Sequence, residues 1–201
     1  DEVRGRAQHR LAGPAAAGRL AAEQLREARD LREEVADVEL FLPAGWTRWI
    51  PNAAMPVSYT LLVAGFTSKS PTAVGMAAAA ASGPTGWARI TRHPALWGFA
   101  LWGLSHLATN GDLRSLLLMG GIAALAFAGM AHIDARRRAA GGDVWAAFER
   151  QTSVLPFLAI ARGNPLPTLR ELGWWRIAAG LGGWAAMLFV HQLMIGVSPY
   201  P

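Results

Sequence analysis

Histidine is the residue type in this sequence with the widest range of chemistry, and its placement is uneven. His93, His106, His132 and His191 lie beside or within apolar segments, whereas His9 lies in a polar segment and is expected to face solvent. An imidazole in an apolar helix either hydrogen-bonds to a neighbouring helix, or binds a metal or haem iron, or handles a proton. The four histidines in apolar surroundings are therefore the first candidates for a functional site.

The spacing of His93 and His106 excludes one arrangement. The two residues are thirteen positions apart, so on one straight helix they lie ~20 Å apart along the axis and on different faces. They cannot bind one iron together. Each of them needs a partner from another helix.

Four apolar blocks are the candidate helices that would position these side chains. They run from about Trp49 to Phe66, Pro94 to Thr109, Leu113 to Ile133 and Trp174 to Val197. A helix needs roughly 20 apolar residues to cross a bilayer; the third and fourth blocks are long enough, and the first two are short enough to be tilted, broken or sheltered by neighbours. Because 52% of the residues are hydrophobic and only 16% are charged, we predict an all-α, polytopic integral membrane helix bundle with about four transmembrane helices.

Other segments are expected to lie outside the bilayer. Residues 1–40 are predicted to form a polar N-terminal arm and residues 41–201 the membrane domain. Between Leu20 and Leu40, apolar residues recur every three or four positions among charges, which predicts an amphipathic helix that cannot span a membrane. Residues 77–82 (AAAAAS) are predicted to be a linker and Asp143 to cap a helix. Val154 to Ile160 is predicted to lie at the membrane interface or to fold back under the bundle.

Basic residues indicate the orientation of the bundle. They fall before the second block, after the third block and before the fourth block: Lys69, Arg89 and Arg92; Arg136, Arg137 and Arg138; Arg150, Arg162, Arg170 and Arg176. Basic loops face the cytoplasm in multi-pass proteins, so the turn at residues 110–112 and the C-terminal end are expected on the opposite side. The net charge of +5 is explained by anionic lipid headgroups, and no nucleic-acid partner is expected.

This topology pairs the histidines across helices. His106 and His191 each lie about four turns from the cytoplasmic ends of their blocks, so these two can meet; so can His93 and His132, both near the cytoplasmic face. Two imidazoles at one level permit axial ligation of a haem iron. Zinc is a weaker fit, because Asp112 and Asp134 lie at the wrong ends to complete a shell with His106 and His191, and the chain has no cysteine.

Two stretches of the sequence carry a family resemblance. They are RITRHPALWGFALWGLSHLATNGD, from Arg89, and AHIDARRRAAGGDVWAAFERQTSVLPFLAI, from Ala131. With the late His191, they resemble the NnrU family of bacterial membrane proteins and their relatives in plants and cyanobacteria, the 15-cis-ζ-carotene isomerases. The resemblance covers roughly residues 41–197; the family has further apolar helices ahead of this region, where residues 1–40 here are charged.

The resemblance implies a function in a bacterial cytoplasmic membrane. The isomerases carry haem b and isomerise a double bond of a polyene without net redox chemistry, and NnrU proteins are associated with denitrification and nitric oxide metabolism. His93, His106 and His191 are the positions carried over, with His106 and His191 as axial ligands of the iron. Arg92 would pair with a haem propionate or a lipid phosphate. The expected partners are the bilayer and either an apolar small-molecule substrate or a membrane protein.

Two other hypotheses about the function of the same residues remain open. Arg92-His93-Pro94 followed by GDVWAAF also resembles membrane methyltransferases that act on isoprenylcysteine or phospholipid and bind S-adenosylmethionine. The other alternative is a non-catalytic accessory factor of a respiratory complex, which would contact its partner through the amphipathic arm. Whether the chain is an enzyme is thus left open by the sequence, and no catalytic residue is assigned.

Overall fold

The structure, a computed structural model, describes residues 14–36 and 38–200, and every regular element in this part of the chain is helical. The α-helices in chain order are α1 (Pro14–Ala36), α2 (Trp49–Thr67), α3 (Trp87–Ile90), α4 (Pro94–Leu107), α5 (Leu113–Arg150), α6 (Leu158–Ala161), α7 (Leu169–Leu172) and α8 (Trp174–Ile195). Short 3-10 helices cover Gly45–Arg48 and Ala77–Ser82, and α5 contains a π-helical stretch at Leu116–Gly120. The predicted all-α class is confirmed for these residues.

The chain divides into two compact units, the first of which comprises Asp1–Phe41 and Asp112–Arg114. Residues 1–13, including His9, lie outside the described residues. Helix α1 is the predicted amphipathic helix, but it ends at Ala36 rather than Leu40. Val38 and Glu39 instead pair with the second segment of this unit: the Leu113 amide donates to the Val38 carbonyl, and Glu39 forms an isolated antiparallel bridge with Asp112.

The second unit, Leu42–Gly111 with Ser115–Pro201, contains the apolar helices. Helix α2 packs against both α4 and α8, and α4 also packs against α5. Small residues allow the closest approaches. A β-carbon added at Gly180 of α8 would lie 2.5 Å from the Thr60 Cα of α2, and the buried Ser58 hydroxyl of α2 donates to the Gly98 carbonyl of α4 at 2.8 Å. The order of packing is therefore α8, α2, α4, α5.

Two of the four predicted spans meet the requirements for crossing a bilayer. In the described residues only α5 and α8 are both long and apolar enough. Helix α4 has 14 residues, or ~21 Å, against the ~30 Å of a hydrocarbon core. Helix α2 has 19 residues but carries prolines, an asparagine and buried hydroxyls. The described residues therefore contain two candidate spans rather than the predicted four, because α4 is too short and α2 is too polar.

The prediction of a linker at residues 77–82 was wrong. These residues form a 3-10 helix, and Ala80 is buried in a cluster with Ala88, Trp145 and Phe148. A run of alanines has little side-chain volume, so it lets the backbone approach the large rings of α5 closely.

The break near the predicted cap at Asp143 lies one residue earlier. Gly142 has φ 51°, which interrupts α5 before its polar last turns. The chain after α5 folds back onto the start of α4: the Arg92 amide donates to the Ser153 carbonyl, and Thr91 Oγ1 and Trp97 Nε1 both donate to the Val154 carbonyl. This segment, 151–157, therefore lies against the helix bundle.

The ends of α2 and α8 lie together as expected for helices that run in alternating directions through the bundle. Arg176, at the start of α8, donates to the carbonyl and hydroxyl of Thr67 at the end of α2. At the other end, Asn52 near the start of α2 donates to the Pro199 carbonyl beyond the end of α8. Helices α2 and α8 are thus antiparallel. That the basic end faces the cytoplasm remains a prediction.

Candidate functional site

His93 and His106 lie at opposite ends of α4 and therefore belong to two separate sites. His93 is the residue preceding α4, Pro94 occupies its first turn as expected, and His106 lies in its last turn. Because α4 is continuous from Pro94 to Leu107, the two histidines lie ~20 Å apart along the helix axis. His93 and His106 thus lie at opposite ends of one continuous helix, as their spacing predicted.

His106 is half-buried at the end of α4 that lies beside the start of α2. Its Nδ1 lies 3.0 Å from the Trp102 carbonyl one turn earlier, and its ring packs edge-on against the Trp102 ring at 6.4 Å. The adjacent Ser105 is buried and its hydroxyl contacts Met55 Sδ of α2 at 3.9 Å. The ring of His106 is thus oriented by contacts within α4.

His191 is half-buried on the last turns of α8. Its Nδ1 lies 2.7 Å from the Val197 carbonyl, which returns to it because Gly196 ends the helix with φ 84°. Ser105, next to His106, contacts Met55 near the start of α2, and Pro199, beyond α8, accepts from Asn52 there. His106 and His191 therefore lie at the same end of the bundle, and their pairing on one iron stays a prediction.

Both Nδ1 contacts determine where the imidazole proton lies. A backbone carbonyl can only accept, so Nδ1 of each ring is the donor and carries the hydrogen. In a neutral imidazole this leaves Nε2 with a free lone pair. His106 and His191 therefore each present an Nε2 lone pair, the form in which an imidazole binds a metal.

A cleft opens at the same end of the helices as His106. Its volume is ≈ 330 Å³. Thr109, one turn beyond His106, forms part of its wall; the other lining residues are Pro43, Ala44, Gly45, Thr47 and Arg48. The cleft gives this end of the bundle an opening with both polar and apolar walls.

At the opposite end of α4, His93 is buried and pairs with Asp134 of α5. His93 Nε2 donates to Asp134 Oδ1 at 2.8 Å, and both side chains are almost completely inaccessible. His132, the partner considered for His93 from the sequence, is exposed on α5. Positions 132 and 134 point about 200° apart on a helix, so the face that meets His93 carries the aspartate.

Arg92 belongs to the same buried cluster. Its Nε lies 3.6 Å from Asp134 Oδ2 and its Nη1 lies 3.3 Å from Glu149 Oε1. Both are ion pairs without hydrogen-bond geometry, so these two buried nitrogens have no hydrogen-bond partner among the residues that the structure describes. The Arg92 carbonyl accepts from Thr72 Oγ1 at 2.7 Å. Arg92 and His93 therefore lie apart from His106 and His191; a role for them in cofactor binding stays a prediction.

Glu149, in the polar end of α5 beyond Gly142, completes the cluster. Arg138 donates to it through Nε at 2.9 Å and through Nη2 at 2.5 Å. These hydrogen bonds from Arg138, with the charge of Arg92, lower the pKa of the Glu149 carboxyl below its usual range, although partial burial opposes them. The cluster thus connects the two parts of α5 on either side of its kink with the start of α4.

Comparison with known proteins assigns the chain to a family. The sequence pattern of the family described as "NnrU protein" matches residues 28–199, which is most of the chain. The chain belongs to the NnrU family. The match begins within α1, so the family region extends further toward the N-terminus than the resemblance from residue 41 suggested.

One curated relative adds a narrower similarity. The 15-cis-zeta-carotene isomerase, chloroplastic, of Zea mays is 33% identical over 80 residues, which are 40% of this NnrU-family chain and 22% of the isomerase. The matched part of the chain thus spans about a fifth of the length of that relative. No solved structure matches the chain.

Sequence reasoning missed the partners of the NnrU-family Arg92-His93 pair. From the sequence, Asp134 was considered as a zinc ligand, and Glu149 had no predicted role. The signal for both was their position, because a carboxylate in or beside an apolar helix needs a partner. Arg92 and His93, at the start of another apolar helix, were the available groups of complementary charge.

Proposed function

We propose that this chain is a haem-binding integral membrane protein of the NnrU and carotene-isomerase type, in which His106 and His191 hold the iron. The observation that carries this proposal is that the two imidazole rings have the same tautomer. Each donates its Nδ1 hydrogen to a backbone carbonyl and keeps Nε2 as a lone pair, and the rings come from α4 and α8. Two neutral imidazole nitrogens are a donor set that fits haem iron.

The activity we propose is cis–trans isomerisation of a polyene. The similarity to the Zea mays isomerase supports this chemistry. When bound, a ferrous haem supplies electron density that lowers the order of a polyene double bond, with no net oxidation or reduction. The protein contributes the orientation of the two imidazoles and the apolar helices α4 and α8 that carry them.

An absorption spectrum tests the haem proposal directly. Protein expressed with ample haem precursor and purified in detergent is expected to show a Soret band, and His106→Ala and His191→Ala are each expected to lose most of it. His132→Ala is the matched control, because this histidine is exposed on α5 and should leave the band unchanged. Colourless wild-type protein, or a band that survives both ligand substitutions, would contradict the proposal.

A second experiment tests the reaction. Haem-loaded protein is incubated with 15-cis-ζ-carotene under reducing conditions, and the isomers are separated by chromatography. Loss of the cis isomer in the wild type but not in His191→Ala supports the isomerase. A haem-loaded protein that leaves the isomer ratio unchanged would limit the proposal to haem binding.

A further inference from the structure

The segment that follows α8 folds back onto the helix it has just left. Gly196 ends α8 with φ 84°, a left-handed conformation that favours glycine. Its amide donates to the Gln192 carbonyl at 3.0 Å. This turn directs the next carbonyl, that of Val197, back toward the His191 ring, where it accepts from Nδ1.

Asn52 holds this segment from another helix. The Asn52 side-chain nitrogen donates to the Pro199 carbonyl at 2.9 Å and to the Arg48 carbonyl at 3.1 Å. A primary amide has two hydrogens, so one fixes the side chain to its own helix start and the other holds the returning segment. Asn52 and Pro199 are both half-buried, which limits competition from water.

We infer that Asn52 is a positioning residue for His191. It anchors Pro199, two residues beyond the carbonyl that accepts from His191, and so keeps that carbonyl in reach of Nδ1. The anchored carbonyl holds the hydrogen on Nδ1 and leaves the lone pair on Nε2. The effect on the tautomer does not require a cofactor; its consequence for iron binding rests on the proposed function.

Nuclear magnetic resonance of the cofactor-free protein tests the positioning step. The side-chain nitrogens of ¹⁵N-histidine-labelled protein in micelles distinguish an Nδ1-bound hydrogen from an Nε2-bound one. His191 is expected to be Nδ1-protonated in the wild type. In Asn52→Ala it is expected to move toward the Nε2-protonated form that a solvated histidine side chain favours, while His106, held by Trp102, stays unchanged.

Two further variants make the result specific. Gly196→Ala strains the turn through its positive φ, since no atom of the described residues lies within 4 Å of the added methyl group. It is expected to shift the His191 tautomer in the same direction. Asn164→Ala is the matched control, because this asparagine also donates to a backbone carbonyl, that of Gln151, but belongs to the segment after α5. An unchanged His191 tautomer in folded Asn52→Ala would overturn the inference.

Haem titration separates this inference from the proposed function. If His191 binds the iron, Asn52→Ala is expected to raise the Kd for haem about tenfold, a size typical of groups that orient a ligand. If the tautomer shifts as expected but the wild type binds no haem, the positioning role stands and the haem proposal fails. If wild type and Asn52→Ala bind haem equally and their tautomers match, the positioning role is wrong and the haem proposal stands.

Discussion

At the scale of single residues, the buried charges beside the start of α4 contribute strongly to the stability of the fold. Asp134 meets His93, Arg92 and, more distantly, Arg138, whose nitrogen lies 3.9 Å away. Arg92 depends on Asp134 and Glu149 for compensation of its charge. Removing one member of such a group leaves the remaining buried charges incompletely compensated, and this is the costly step.

Asp134→Asn is expected to destabilise the protein by about 3 kcal/mol, since breaking a buried ion pair has costs of this order. The substitution keeps the size of the side chain but removes the charge that faces Arg92. Unfolding by denaturant in detergent micelles, followed by tryptophan fluorescence, measures the change. The control is Asp143→Asn, which removes the same charge from an exposed position of α5. Equal stability of the two variants would show that the cluster contributes nothing.

Stability is expected to depend on pH through Glu149. Its pKa is lowered in the folded state, so its contribution is fully present above the ordinary pKa of a glutamate and is lost as the pH falls through the folded value. The wild type should therefore have a higher Tm than Glu149→Gln at pH 7, and the difference should shrink as the pH falls below the ordinary pKa of a glutamate, about 4.3. Melting curves from pH 7 to pH 3 check this. A constant difference across the range would contradict it.

At the scale of elements, small residues set the distance between α2 and α8. The Thr60 backbone occupies the space where a β-carbon of Gly180 would lie, whereas no atom of the described residues lies within 4 Å of the corresponding position at Gly182. The two glycines are two residues apart on the same helix. Their responses to one added methyl group should therefore differ in sign.

Gly180→Ala is expected to destabilise the protein by about 1–3 kcal/mol, because overpacking forces the two helices apart. Gly182→Ala is expected to be neutral or to stabilise by up to about 1 kcal/mol, since alanine favours the helix more than glycine does. Denaturant titrations of both variants in the same micelles give the comparison. Equal effects would mean that α2 and α8 do not pack through Gly180.

The segment after α5 gives a second prediction at this scale. Trp97 Nε1 and Thr91 Oγ1 share the Val154 carbonyl, so Trp97→Phe keeps the aromatic packing but removes one of the two bonds. Hydrogen exchange across residues 152–160 is expected to rise several-fold, as for a net loss of about 1 kcal/mol. Trp184→Phe is the control, because its buried indole nitrogen donates to no partner in the described residues. Unchanged exchange in Trp97→Phe would contradict the role of this bond.

The sequence predicted the helices well where composition alone determines them. The starts of α2, α4 and α8 were predicted at Trp49, Pro94 and Trp174, since each follows a break in the apolar pattern, and the structure agrees. The 3-10 helix at residues 77–82 was missed because alanine repeats carry no periodic signal; its burial depends on Trp145 and Phe148, which lie more than 60 positions away. The topology also placed His106 and His191 at one end of the bundle, in agreement with the contacts that both helix ends make to α2. The carbonyls that orient them depend on local backbone turns that no residue type reveals.

At the scale of the whole molecule, the absence of cysteine from the sequence allows the topology to be measured with single introduced thiols. Arg162→Cys and Tyr200→Cys place a thiol on exposed residues on either side of α8, and they are expected to lie on opposite faces of the membrane. A membrane-impermeant maleimide added to spheroplasts should label Tyr200→Cys and leave Arg162→Cys unlabelled until the cells are lysed. The reverse pattern would invert the orientation, and labelling of both would contradict a spanning α8.

The two helices that are able to span are also the ones at the outside of the packing order. Large side chains on α8 are widely exposed, with Phe189 at 83% and Leu193 at 87%, and Leu125 on α5 is 74% exposed. Such surfaces are unfavourable in water and favourable against acyl chains. The central pair, α2 and α4, carries the polar contacts between helices.

The shortness of α4 has a consequence for the surrounding lipid. A helix of 14 residues is ~9 Å shorter than a typical hydrocarbon core, and such hydrophobic mismatch costs fractions of a kcal/mol per Å unless the bilayer thins or neighbouring helices cover the ends. Helices α2 and α5 cover α4 on two sides, so the mismatch falls on the open edges of the bundle. Bilayers of short acyl chains should match these edges best. In thicker bilayers the energetic cost of the hydrophobic mismatch at α4 should be larger.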